Sequence, residues 1–486
     1  MYKNHYEEII DLMILNEISE EDIKIKELIN KLPLKQKRLA ILSILDKDRG
    51  MFLKIKKIIE NTAVSKTKHI SDVVEMLRDY VKVGDIEKKK FGEVMTPISL
   101  VDDMLDTLPK EVWTNPNLKW LDPANGVGVF PSVVIQRLMN GLKDVITDDE
   151  FRYKHIVENM IHVCELQPKN MFLHLCAFDP EDTYLLNVYT GSFLTDEFSS
   201  HAKNVWNVDK FDVIVGNPPY QELKEGNKKS KAIWHHFVEK AIHSLTDETG
   251  LMCMVHPSGW RNVMGAFKET QKLILSKDVS YLEMHNFKDG IDNFGAQINY
   301  DFYCLQNSFN RVTTTIKDVN NNVEYIKLQN VLFIPNTSIS KVYSLLHTNN
   351  ENKIQIIYSR SLYGNDKQHM CKIKTNEHKY PCVYTIKKHN VLNLWYSNIK
   401  AKHFNTPKII ITNGSAVTPY LDKNGDYGIM NFGFGISDTV DRLVKIKKAL
   451  TNKKFIKNIM GFNGLGNKYD KNIISLLHKD FWKEFI

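Results

Sequence analysis

Cysteine is scarce in this 486-residue sequence, with six residues (Cys164, Cys176, Cys253, Cys304, Cys371 and Cys382) spread through the chain. That density excludes a disulfide scaffold and makes free thiols in a reducing compartment the default. Long apolar runs are missing too: none approaches the roughly 18–20 residues that a membrane helix needs. The opening Met1-Tyr2-Lys3-Asn4-His5-Tyr6-Glu7-Glu8 carries two acids where a signal peptide is basic and then apolar. A soluble, cytoplasmic chain without a membrane partner is expected. Charge of one sign is in small excess, 65 Lys and Arg against 58 Asp and Glu, a net +7 that barely argues for a polyanionic partner. What is present is ordinary for a folded protein: 43% hydrophobic, 25% charged and 10% aromatic residues exclude wholesale disorder. At about 100–200 residues per domain, the length suggests roughly three domains.

Residues 6–83 are expected to be helical. Ile9, Ile10, Leu12, Met13 and Leu15, and later Val73, Val74, Met76, Leu77, Tyr80 and Val81, recur near helical spacing. Glu87 and Lys89 have the local look of a nuclease Glu-x-Lys, but no strand or upstream Asp accompanies them, so a solvated charged segment is expected. From 91 to 306, short β-rich runs alternate with helical ones: Trp120-Leu121-Asp122, Ile161-His162-Val163-Cys164-Glu165, Val188-Tyr189, Phe211-Asp212-Val213-Ile214-Val215 and Leu251-Met252-Cys253-Met254-Val255. This alternation implies a mainly parallel sheet covered by helices. Past Asn320-Asn321-Asn322 the composition shifts to Lys, His, Asn and Tyr. The expected division is a helical region at 1–85, an α/β core at 86–310 and an α+β domain at 311–486.

The strongest chemical signal follows the strand at 211–215, which runs into Gly216-Asn217-Pro218-Pro219-Tyr220. Ligands of open α/β sheets bind at the carboxyl ends of strands. Two prolines fix their own φ and restrict the residues before them, so the Asn217 amide and the Pro218 carbonyl can be held facing one point. Two such acceptors suit an exocyclic amino group with two N–H donors, and Tyr220 supplies a planar face for the ring that bears it. A second signal is Asp122-Pro123-Ala124-Asn125-Gly126-Val127-Gly128-Val129-Phe130 between a strand and an amphipathic run. Gly126 and Gly128 permit a tight turn and close approach to a ligand. Position 131 is Pro, so this is not the dinucleotide pattern, and the Lys-Ser/Thr ending of a phosphate loop is absent. Glu165, at the end of the next strand, can accept two hydrogen bonds from a ribose diol.

Together these residues resemble the N6-adenine DNA methyltransferases that use S-adenosylmethionine. Asn217-Pro218-Pro219-Tyr220 matches that family's catalytic motif in full. Asp122, Ala124, Gly126 and Gly128 resemble its cofactor loop, with Asn125 where Cys is usual. Phe91-Gly92-Glu93-Val94-Met95-Thr96-Pro97 resembles the Gly-x-x-x-Thr-Pro segment, which in the family helps hold the methionine carboxylate. Glu165, Ser192 and Phe193 complete the implied cofactor set, with Ser192 where the family often has Asp. The motif order is the gamma arrangement of Eco57I-like modification enzymes. The resemblance implies a Rossmann-like methyltransferase core followed by a DNA-recognition domain. It also implies methyl transfer to N6 of an adenine flipped out of double-stranded DNA, within a restriction-modification or phage-defence-related system. It implies no metal. Trp234-His235-His236-Phe237 is similar to the family's aromatic wall of the target-base pocket, or else is helix core.

Charge concentrates beyond the core. Between Lys353 and Lys408 eleven basic residues face two acidic ones, a net +9 that exceeds the whole chain's +7. Tyr358, Tyr363, Tyr380, Tyr384, Trp395, Tyr396 and Phe404 are interleaved with them. Lysine for phosphates and aromatics for bases suit nucleic acid. Lys372, Lys374, Lys387, Lys388, Lys400 and Lys402 are the expected DNA contacts. His369, Cys371, His378 and Cys382 match no standard zinc-finger spacing. Gly425, Gly428, Gly433 and Gly435 are expected to mark turns between short strands. No nuclease motif is convincing, so any restriction endonuclease is expected to be a separate partner. Protein-glutamine and some RNA methyltransferases share Asn-Pro-Pro-Tyr but are generally shorter. A DNA-binding specificity protein with weak turnover is the remaining alternative, because of Ser192.

Overall fold

The computed structural model describes residues 9–10, 12, 28–29, 31–45, 57, 66–83, 95–222, 231–262, 265–310, 313–328, 331–348, 350–358, 368–400, 403–412, 418–456 and 469–486. They form two compact units. The first comprises Met1–Trp260, Glu269–Ile316 and Tyr325–Asn330; the second comprises Arg261–Lys268, Lys317–Glu324 and Val331–Ile486.

A nine-stranded mixed sheet flanked by helices lies almost wholly in the first unit, Lys317 and residues 323–324 being counted with the second. Its strands are β1 (Trp120–Asp122), β2 (Ile161–Glu165), β3 (Asn187–Thr190), β4 (Val213–Gly216), β5 (Leu251–Pro257), β6 (Asp278–His285), β7 (Tyr300–Gln306), β8 (Thr314–Lys317) and β9 (Val323–Ile326), in the order β3-β2-β1-β4-β5-β7-β6-β8-β9. The first five pair in parallel, and β7 runs antiparallel to both β5 and β6. The central strands carry apolar residues on both faces, since helices cover both sides. The chain leaves β1 towards β2 and β3, then returns to β4 on β1's other side. That switch point lies between β1 and β4, where both key loops emerge.

The helices are α1 (Leu34–Leu45), α2 (Lys66–Val83), α3 (Ile98–Leu105), α4 (Val129–Gly141), α5 (Asp149–His155), α6 (Pro168–Phe178), α7 (Asp196–Asn204), α8 (Trp234–Ser244), α9 (Lys268–Leu275) and α10 (Phe287–Phe294). In α2, Ile70, Val73, Val74 and Leu77 share one buried stripe, which packs on α4. Of the first apolar run, Ile9, Ile10 and Leu12 are helical, whereas Met13 and Leu15 lie outside the described residues, as do Glu87 and Lys89. Among the described residues no helix is long and apolar enough to cross a membrane.

The second unit contains two four-stranded sheets. One has the order β10 (Gln355–Ile357), β17 (Gly433–Ser437), β14 (Lys408–Thr412) and β15 (Tyr420–Asp422); the other has β11 (Met370–Cys371), β13 (Leu392–Ser397), β12 (Tyr380–Ile386) and β16 (Gly428–Ile429). Alternation along β14 sends Ile409 and Ile411 into one cluster with Leu443 and Ile446, while Ile410 joins Val383 and Ile429 in another.

Two expectations for this region need correction. Gly425 sits in a turn with φ +74°, but Gly428 lies in β16, and Gly433 and Gly435 lie in β17. Glycine is needed at these strand positions because neighbouring atoms approach too closely for a side chain. A Cβ on Gly428 would stand 2.6 Å from Cys382 Sγ, and one on Gly435 2.8 Å from Ile429 Cδ1. Lys408, counted in the basic tract, is fully buried and bonds Asp422 at 2.7 Å, so it is not available to a phosphate.

Candidate active site

The loop after β1 is built by carboxylates gripping backbone amides. Asp122 Oδ1 accepts from Ala124 N at 3.0 Å. Glu165 at the tip of β2 accepts from Gly126 N and from Gln167 N, both at 2.7 Å. Glu165 thus shapes the glycine loop directly, a job that its expected ribose contact did not include. Gly126 has φ +56°, and a Cβ there would meet nothing within 4 Å; Gly128 has φ +101° and lies against Phe178 and His174. The first glycine therefore borders open space, while the second lets α4 start close to α6.

Several polar atoms at these strand ends are buried without a hydrogen-bond partner: Asp122 Oδ2, Asn125 Oδ1 and Asn217 Oδ1. Such atoms cost free energy unless something binds them. Burial, with Glu165 nearby, pushes the Asp122 carboxyl up to about 8 despite the Ala124 amide. Asn125 is otherwise tied down, its N–H on Cys164 O and its Nδ2 on Gly126 O, each at 2.9 Å.

Asn217 is oriented by a residue that the linear motif does not contain. Its Nδ2 donates to Thr96 Oγ1 at 3.0 Å, which leaves Oδ1 as the unspent acceptor. Thr96 is buried, and Pro97 caps α3 with φ −60°. Phe91, Gly92, Glu93 and Val94 of the same segment lie outside the described residues. Next to the tetrapeptide, Ile233 N donates to Tyr220 O at 3.2 Å, and Gln221 bridges Ala232. Pro218 is buried and Pro219 exposed. The Tyr220 hydroxyl is buried beside the Asn217 side chain, whose polar contact partly opposes the effect of burial on the phenol. Burial, then Tyr300, pushes that phenol well above its usual range.

After β3, Gly191 N donates to Glu165 O at 2.9 Å, and Ser192 Oγ accepts from Leu194 N at 3.3 Å. The ring of Phe193 is in the core, stacked on Phe237 and edge-on to Phe198, so only its main chain can meet a ligand. Lys240 on α8 holds this loop, donating to Thr195 O at 2.5 Å. No local signal in the sequence marks this role. Trp234 and Phe237 are buried, and Trp234 stacks on His256 at 4.3 Å. Those two rings therefore belong to helix core, and only His235 and His236 are partly or fully exposed. Among the described residues no group of three or more His, Cys, Asp or Glu could hold a metal ion.

In the second unit Lys372, Lys374, Lys387 and Lys400 are exposed; Lys388 lies in a short turn, and Lys402 is outside the described residues. Lys372 Nζ sits 5.5 Å over the Trp395 ring, which stacks with Tyr384 at 5.5 Å.

The chain is similar to several known proteins. Residues 176–294, which include the tetrapeptide, match the Eco57I restriction-modification methylase family. The chain is 28% identical over 299 residues to an uncharacterized adenine-specific methylase of Mycoplasma pneumoniae, covering 44% of this chain and 69% of that one. It is 24% identical over 233 residues to the modification methylase CviBIII of Paramecium bursaria Chlorella virus NC1A, covering 46% of this chain and 53% of the viral enzyme, about half its length. Among solved structures, the type IIL restriction-modification enzyme MmeI in complex with DNA aligns with a TM-score of 0.46 and 12% identity, over 91% of this chain and 70% of that one.

Proposed function

We propose that this chain, whose residues 176–294 carry the Eco57I restriction-modification methylase domain, is a site-specific DNA methyltransferase acting on N6 of adenine. The observation that carries the reading is the unspent, buried Oδ1 of Asn217, aimed by Thr96 at the strand switch point. The relative named as an adenine-specific methylase favours adenine as the substrate.

The cofactor this reading requires is S-adenosylmethionine, and the residues present fit it. Open space borders Gly126, and polar atoms of Asp122 and Asn125 beside it lack partners. Asp122, Ala124, Gly126, Gly128 and Glu165, with Ser192 and the Phe193 main chain, are assigned to hold it; Thr96 and Pro97 flank it. Bound there, it supplies an activated methyl group.

An adenine inside a duplex cannot reach a buried site, so it is flipped out, at a cost of a few kcal/mol of unstacking. Tyr220 offsets part of that cost by stacking. Asn217 Oδ1 and the Pro218 carbonyl accept the two amino hydrogens and favour a tetrahedral nitrogen whose lone pair points away from the ring plane. Positive charge develops on that nitrogen during transfer, so fixed acceptors stabilise the transition state more than the ground state. Residues 311–486 act as the target-recognition domain, with Lys372, Lys374, Lys387, Lys388, Lys400 and Lys402 on DNA phosphates.

Incubation with methyl-labelled S-adenosylmethionine and, separately, unmodified duplex DNA, RNA and protein tests this. Label on N6 of adenine in DNA is expected. Label on RNA or on glutamine, or none with tight DNA binding, overturns it.

A further inference from the structure

Behind Tyr220 stands a chain of rings within the first unit. Tyr220 meets Phe294 edge-on, with centroids 6.2 Å apart at 85°. Phe294 meets Tyr300 at 4.8 Å and 71°. Tyr300 lies flat on His285, at 4.4 Å and 7°. Phe294 and Tyr300 are both buried.

Each member is held from more than one side. Tyr300 opens β7, where it pairs with Pro257 of β5 and His285 of β6. Its hydroxyl bonds Asn293 Nδ2 at 2.6 Å. Phe294 closes α10, whose start is fixed by reciprocal capping between Asn286 and Asp289 and whose end turns at Gly295 with φ +64°. Midway along α10, a Cβ on Gly290 would run into Ile298 O, so the helix lies flush on the 296–298 segment. Glu283 and Asp289 flank His285 at 3.5 and 3.6 Å, and Tyr281 donates to Glu283 at 2.6 Å. Apolar burial of two rings needs none of these polar ties.

We propose that this ring chain sets the plane of Tyr220, which makes Phe294 and Tyr300 positioning residues for the extruded base. The inference rests on the reading that Tyr220 stacks an adenine. An edge-on pair has an angular preference, the positive ring edge seeking the negative face, whereas an aliphatic side chain of similar bulk has none. Small misplacements of a bound reactant cost large factors in rate. The ring plane therefore matters to transfer even though Phe294 and Tyr300 touch no substrate.

The test places a fluorine-labelled tyrosine at position 220 of the full chain and compares wild type with Phe294→Leu and Tyr300→Phe. In the free protein, Phe294→Leu is expected to shift or broaden the fluorine resonance, and Tyr300→Phe, which keeps its ring, to do so less. Single-turnover methylation is expected to fall about ten-fold or more in Phe294→Leu, with affinity for S-adenosylmethionine unchanged. An unmoved resonance overturns the proposal, and so does an equal loss of rate and cofactor affinity, which marks general loosening. If the resonance moves but even wild type never methylates DNA, the ring chain stands and the functional reading fails.

Discussion

Asp122 and Asp422 are each the last residue of a strand and each buried, at 3% and 2% exposure, yet their surroundings are opposites. Asp422 in the second unit is saturated: Lys408 Nζ at 2.7 Å, Asp426 N at 2.9 Å and Tyr427 N at 3.1 Å all donate to it. Lys408 also donates to Thr406 O at 3.2 Å. Nearby His403 is kept neutral, its value pushed down to about 4 by burial and then by Lys408. Asp122 in the first unit has one backbone amide on Oδ1 and nothing on Oδ2. A closed ion pair fixes a loop, whereas the unpartnered polar atoms at the ends of β1 and β4 are those that the proposed function assigns to ligands. Asn217 Oδ1 differs from the Asp422 carboxylate in the same way.

The largest effect expected from this contrast is on chemistry. Asn217→Ala removes the reserved acceptor and is expected to lower single-turnover methylation by about 10²–10³-fold, with cofactor affinity held by calorimetry. Next comes stability. Lys408→Met strands the Asp422 charge and is expected to cost about 3–5 kcal/mol in denaturant unfolding. Asp122→Asn near pH 5 is expected to cost less than about 1 kcal/mol, since no ion pair is broken. Equal costs for the two would break the comparison.

A third prediction concerns pH. Asp122 is pushed from 3.8 up to about 8 in the folded chain, so between those values the folded state keeps a proton that the unfolded state has released. Stability therefore falls as pH rises from about 4 to about 8 and levels above that, by a few kcal/mol in order of magnitude. Asp122→Asn removes that component, and unfolding measured across the window checks it. The smallest effect is on DNA binding. Replacing Lys372 and Lys387 by Ala is expected to reduce the salt slope by about 0.9 for each phosphate no longer neutralised, and an unchanged slope moves the DNA path elsewhere.

Much of the core was legible because its determinants are local. Short β-rich runs at 161–165, 213–215 and 251–255, alternating with helical ones, point to strands of a parallel sheet, and a strand ending in Asn217-Pro218-Pro219-Tyr220 marks its own chemistry. What stayed hidden depends on partners distant in the chain. Thr96 and Asn217 are 121 positions apart, and nothing in either segment tells that one hydroxyl aims the other's amide. In the linear sequence Glu165 looks like a ligand contact alone, and its bond to the Gly126 amide appears only once β1 and β2 are paired. Lys408 counts as a surface cation in any tally of charge, because its burial follows from Asp422 on the neighbouring strand. The glycines of β16 and β17 look like turn residues until the packing against them is seen.

One oxygen carries the proposed chemistry, and a structure of the chain with duplex DNA and a non-reactive analogue of S-adenosylmethionine examines it most directly. The expected result is an adenine outside the helix, stacked on Tyr220, with N6 about 2.7–3.2 Å from Asn217 Oδ1 while Nδ2 stays on Thr96. An adenine still paired in the duplex, or an extruded base whose N6 is bound elsewhere, would contradict it.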